Sequence, residues 1–152
     1  MEEIIKVNGI GHFEYSTELY SYIHNEGKVH WALKMVDEST DIEELIRKAE
    51  LLFIELESFE EAAKIKIAEK LIDFKNEFWP EYDENDAELD WDAVDAGEFD
   101  ITIEEFVELI SLIEIEIRSN EIYCEYLDGD LFGGHRIHAH FSDDYNLNKA
   151  EI

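Results

Sequence analysis

Hydrophobic positions recur every second residue toward both ends of the chain and every third or fourth residue between them. Val29, Trp31, Leu33 and Met35 alternate with His30, Ala32 and Lys34, a period of two that buries one face of a strand. Strands are predicted over 11–16 (GHFEYS), 19–24 (LYSYIH) and 28–36 (KVHWALKMV). The last two form a hairpin around Asn25-Glu26-Gly27. From Ile42 the spacing becomes helical: Ile42, Leu45, Ile46, Ala49, Leu52, Phe53 and Leu56 share a stripe, with Thr40 or Asp41 as cap. Ser58-Phe59-Glu60-Glu61 has the form of a capping box. It predicts a second helix with Phe59, Ala62, Ala63, Ile67, Leu71, Phe74 and Phe78 inward, ending near Trp79-Pro80 because the residue before proline resists helical angles. Thr102-Ile103-Glu104-Glu105 is a third such signal and opens a short helix through Phe106, Val107 and Ile110. The period of two then returns in LIEIEIR, EIYCEYL and HRIHAHF.

The register of that last group follows from its loop. Ser119-Asn120 is a plausible two-residue hairpin turn, so pairing outward sets Ile117 opposite Ile122, Ile115 opposite Cys124 and Ile113 opposite Tyr126, all apolar. The same register sets Glu116 opposite Tyr123 and Glu114 opposite Glu125 on the other face. Facing glutamates destabilise a strand pair unless a cation lies beside them. With Ile137, Ala139 and Phe141 inward, the next strand offers Arg136, His138 and His140 there. Strands, helices, then strands, with no internal repeat, predict one α+β domain over residues 1–152. Its antiparallel sheet, built from N-terminal and C-terminal strand groups, packs against two long helices and one short one. Residues 81–100 form an acidic loop insertion.

Charge changes the picture of what the chain can bind. Forty acids against twelve Lys and Arg give a formal charge of -28, while 45% hydrophobic residues still provide a core. Gripping phosphates requires Lys and Arg, so direct nucleic-acid binding is excluded as a simple activity, and anionic membrane surfaces are disfavoured. A basic protein partner is attracted instead, with fast, salt-sensitive association. The opening MEEIIKVNGIG has no basic n-region, and no apolar run approaches the ~18 residues a span needs. Cys124 is alone and can form no internal disulfide. The expectation is a cytoplasmic protein.

Candidate chemistry is sparse. His138 and His140 lie two apart on a strand and so on one face, where they can share a divalent metal with Glu125, Glu114 or Glu116. His135 has the opposite parity. A charge-compensated strand face competes with this and is favoured, since structural metal sites want four placed ligands. Asp128-Gly129-Asp130 followed by Gly133-Gly134-His135 reads as a turn of Asx type, ahead of a cation site or a catalytic Asp–His pair. No nucleophile elbow, phosphate loop or EF-hand spacing occurs, and Cys124 falls among core positions, so no catalytic residue is assigned and no cofactor is expected.

The stretch from Glu81 to Asp100 holds ten carboxylates and no Lys or Arg. Tyr82 and Trp91 sit among Asp83, Glu84, Asp86, Asp90, Asp92 and Asp95, a pattern that suits a partner-binding surface with rings as anchors and charges for steering. The competing reading pins the same rings to the protein's own core.

AAKIKIAEKLIDFKNEFW, ITIEEFVELISLIEIEI and YLDGDLFGGHRIHAHF together resemble the bacterial domain-of-unknown-function 2262 family. That family shows an Asn-x-x-Trp helix end, a Thr-x-x-x-Phe helix start and an Asp-Gly-Asp-x-Phe-Trp-Gly-His hairpin. Its opening strands are similar to GIGHFEY and GKVHW. The most specific matches are Asp128, Gly129, Asp130, Phe132, Gly134 and His135, while Gly133 stands where the family usually has Trp. The resemblance implies an α+β fold and no activity. Small acidic bacterial families of this kind often sit beside secreted toxins as immunity proteins. The resemblance therefore brings the expectation of a basic, nuclease-like toxin as partner.

Overall fold

Helix α1 (Ile42–Ile54) starts where a carboxylate can hold its first free amides: Asp41 accepts from the backbone of Glu43 and Glu44. It buries Leu45, Ala49 and Leu52. Only Glu55 separates it from α2 (Leu56–Phe78). Ser58 therefore lies inside the first turn of α2 and does not cap it: the Phe59 amide is already bonded to the Glu55 carbonyl at 2.9 Å. Thr102 does cap. It and Glu105 exchange hydrogen bonds in a complete capping box that opens α3 (Ile103–Leu109). In this computed structural model the described residues are 3–78 and 100–152. The proposed anchors and acids at Tyr82, Asp83, Glu84, Asp86, Asp90, Trp91, Asp92 and Asp95 lie outside them.

Among the described residues, eight strands form one sheet whose spatial order follows the chain: β1 (Ile4–Val7), β2 (Gly11–Ser16), β3 (Ser21–His24), β4 (His30–Lys34), β5 (Ser111–Ile117), β6 (Ile122–Leu127), β7 (Ile137–Phe141) and β8 (Leu147–Glu151). All neighbours are antiparallel except β4 and β5, which run parallel. The expected purely antiparallel sheet is corrected at that junction. A parallel pair needs a long crossover, and the helices lie in that connection.

The β5–β6 register is as predicted from Ile117↔Ile122 to Glu114↔Glu125, and then shifts. Leu112, not Ile113, faces Tyr126. Strict alternation would next turn Ser111 inward; the bulge at Ile113 puts Leu112 in the core instead, 6% exposed. One hydrophobic cluster unites the inward residues of the sheet with Leu45, Ala49 and Leu52 of α1, Phe59, Ala63, Ile67, Ala68 and Leu71 of α2, and Phe106 of α3. The opposite sheet face, with Glu114, Glu116, Tyr123, Glu125, His138 and His140, is half-buried. No described helix is long and apolar enough to cross a membrane.

Candidate functional site

The polar face of β5, β6 and β7 gathers the glutamates, histidines and arginine that the predicted register set together. Cross-strand pairing sets Glu125 between Glu114 and His138, and Tyr123 between Glu116 and His140. The Tyr123 hydroxyl donates to Glu125 Oε1 at 2.7 Å. Having one proton, it can only accept from His138 Nδ1, which lies 2.5 Å away. This assigns the Nδ1–H tautomer to His138 and makes a run of hydrogen bonds from imidazole to phenol to carboxylate. Arg136 closes on the other oxygen, Glu125 Oε2, at 3.0 Å. His140 turns away from this run, with Nδ1 3.2 Å from Glu121 Oε1. Arg118 bridges Glu116 and Glu121 and lays its guanidinium 4.5 Å from the Tyr123 ring centre.

Electrostatics divide the carboxylates. Burial, then the charge of Glu125 and a hydrogen bond shared with it, pushes the Glu114 carboxyl up. Burial acts in the same direction on Glu125, but donors from Tyr123 and Arg136 outweigh it and hold that carboxylate below the usual range. Glu121 is likewise held down against burial, by His140 and Arg118. Of the two, Glu114 is therefore the one that binds a proton more readily. Burial also pushes up the Tyr123 phenol and the fully enclosed Cys124 thiol, which suits neither to nucleophilic attack. His138 and His140 do share the predicted face, but one engages Tyr123 and Glu125 and the other Glu121. Among the described residues, no group of three or more His, Cys, Asp or Glu is arranged to hold a metal ion.

The pair has a signed pH consequence. A raised carboxyl pKa means the folded state holds the proton more tightly than the unfolded chain. Its contribution to stability is full below the unfolded value and falls as pH rises through the folded one. Glu114→Gln puts an uncharged hydrogen-bonding group there. It should match or exceed the wild type in urea unfolding at neutral pH, with the difference shrinking toward acid. Glu125→Gln, which keeps an acceptor for only one of the two donors Tyr123 and Arg136 and turns an NH2 group toward the other, should be the less stable of the two at neutral pH.

The signature residues meet elsewhere, at one corner around α3. Asn76 clamps the backbone of Ile101 in both directions: its Oδ1 accepts from the Ile101 amide at 3.0 Å, and its Nδ2 donates to the carbonyl at 3.3 Å. Thr102 caps α3, and Phe106 on that helix is fully buried. Asp128, 5% exposed, accepts three backbone amides at 3.0 Å, from Asp130 on Oδ1 and from Phe132 and Gly134 on Oδ2. That loop holds Gly129, Asp130, Gly133 and Gly134 at positive φ and drives Phe132 against Phe74 and Phe106. The turn reading of Asp128-Gly129-Asp130 is therefore the correct one for Asp128. Sequence reasoning missed the Asn76 clamp and the place of Tyr123 and Glu121 in the polar network. Register gave the only signal for the latter, since Tyr123 directly faces both Glu116 and His140.

This corner joins Asn76 to Ile101, which flank the acidic stretch in the sequence. No curated protein and no solved structure matches the chain. A family match does run over residues 8–152, nearly the whole length, and takes in the helix end, the capped α3 and the Asp128 loop. The chain belongs to the family described as uncharacterized protein conserved in bacteria, domain of unknown function 2262.

Proposed function

We propose that the protein is a non-enzymatic acidic binding protein whose partner is a basic protein, in its most concrete form an immunity protein that neutralises a cationic, nuclease-like toxin. The carrying observation is the charge imbalance, together with where the cations go. Forty acids face twelve bases. Lys48, Lys64, Arg118, Arg136 and Lys149 are held by the protein's own carboxylates. Lys34 and Lys66 donate to backbone carbonyls. The surplus field is negative, and such a field speeds encounter with a cationic surface. A cleft that grips phosphates is lined with Lys and Arg, so closely spaced carboxylates can occupy it.

The Asn76–Ile101 clamp and the capped start of α3 support this reading, because they order the residues that flank the ten-carboxylate stretch in the sequence. Trp91 and Tyr82 are the anchors in this account, with Asp83, Glu84, Asp86, Asp90, Asp92 and Asp95 around them. The reading asks for no cofactor and places the protein in the cytoplasm.

Replacing Asp86, Asp90, Asp92 and Asp95 together with Asn tests it. Against a basic partner recovered from the native host, the association rate should fall roughly tenfold or more at low salt while dissociation changes less. An unchanged association rate would remove this stretch from the interface.

A further inference from the structure

A groove of about 820 Å³ runs between β1 and α1. Its apolar surface comes from Ile5, Tyr22, Met35, Ile42 and Ile46. Glu43 and Glu50 stand on its walls and also line a smaller hollow alongside, with Asp41 and Glu44. Toward its C-terminal end α1 is tied to the β1–β2 turn. There Glu50 Oε2 accepts from the Asn8 amide at 2.8 Å, and a Cβ on Gly9 would stand 2.8 Å from the Phe53 ring. Ile42 and Ile46, in the N-terminal half of the helix, line the groove.

Its second wall is a strand edge. β1 stands at the end of the sheet order and is hydrogen-bonded, among the described strands, to β2 alone. An edge strand presents unpaired amides and carbonyls along its outer side, and an extended peptide can add to it, sending alternate side chains to the two faces. Beside β1, one of those faces is the apolar groove. The four carboxylates along the two hollows outnumber the Lys6 and Arg47 beside them, so the occupant that fits is cationic.

We propose that the free edge of β1 and the N-terminal half of α1 form a docking groove for an extended segment of a basic partner protein, paired backbone to backbone with β1. Alternate apolar side chains rest on Ile42, Ile46 and Met35, and the intervening Lys or Arg project to the opposite face, within the negative field to which Asp41, Glu43, Glu44 and Glu50 contribute. This inference rests on the basic-partner reading and adds a second contact site to it, distant in sequence from residues 81–100.

The test uses the full chain, labelled for amide spectra, and two synthetic peptides of equal composition. One alternates Val with Arg; the other carries the same residues in two blocks. In physiological salt, the alternating peptide should shift the amides of Ile4–Val7 and the signals of Ile42 and Ile46, and bind more tightly than the block peptide. Ile46→Arg, a half-buried position, should weaken it roughly tenfold with an unchanged melting temperature. The wild-type shift map decides even if that variant does not fold. Shifts confined to other residues overturn the groove and leave the basic-partner reading standing. Absence of binding by either peptide also overturns the groove, whereas the basic-partner reading fails separately, through an association rate indifferent to salt. Shifts along β1 that grow with protein concentration, without peptide, overturn the assigned occupant in favour of a second copy of the chain.

Discussion

Asp128→Ala should cost about 3–5 kcal/mol of stability, a large share of what a domain of this size possesses. The carboxylate is nearly enclosed and is the acceptor for three backbone amides in the β6–β7 connection. An alanine there leaves those donors facing a carbon atom. Each buried donor without an acceptor costs about 1–3 kcal/mol, and the Phe132 amide is the most enclosed of the three. Asp128→Asn keeps one acceptor oxygen and turns an NH2 group toward an amide, so it should fall between the alanine variant and the wild type. Urea unfolding reads both. An alanine variant within about 0.5 kcal/mol of wild type would show that the loop is not held by this side chain.

Gly129→Ala tests the same corner by adding an atom. Gly129 has φ +59°, and a Cβ there would lie 2.4 Å from the Leu109 carbonyl oxygen at the end of α3. A left-handed backbone costs an L residue about 1–2 kcal/mol, and backbone at that distance cannot step aside without moving α3 or the loop. The expected loss is about 2–4 kcal/mol. Gly27→Ala is the control: φ is +85°, and nothing lies within 4 Å of the added carbon. It should show the conformational cost alone. The gap between the two variants measures how closely the Asp128 loop is seated on α3. Equal losses would mean that the contact is soft.

Where local chemistry decided the structure, the residues could be read directly. Thr102 and Glu105 cap α3 because a side-chain oxygen and a free amide three residues apart satisfy each other. The Ser119-Asn120 loop fixed the register that places Glu114 on Glu125 and His138 beside it. What failed depended on distance or on competition. Ser58 carries the capping pattern, but α1 runs into α2 so closely that its turn has no amide left to cap. The sequence of β8, LNKAE, buries only Ala150 and has no alternating apolar signal, and β1 is four residues long. The parallel contact of β4 with β5 joins segments separated by the described helices α1, α2 and α3, which no local period encodes. The polar face was legible as far as parity allowed. His138 and His140 share a side, but their partners Tyr123 and Glu121 required the register as well as the period. Asn76 was beyond reach because its partner Ile101 lies 25 residues on.

The most specific residues of the family therefore hold a corner together. The histidine face compensates its own glutamates, and the unspent feature of the chain is negative charge. The account stands or falls on that charge being what a partner meets. The direct measurement is the association rate of the unmodified protein with the basic partner proposed for it, across a range of ionic strength. The account predicts a steep fall with added salt while the dissociation rate stays nearly constant, because exposed charges steer encounter and are screened beyond about 8–10 Å in physiological salt. An association rate that is flat across the same range would contradict it.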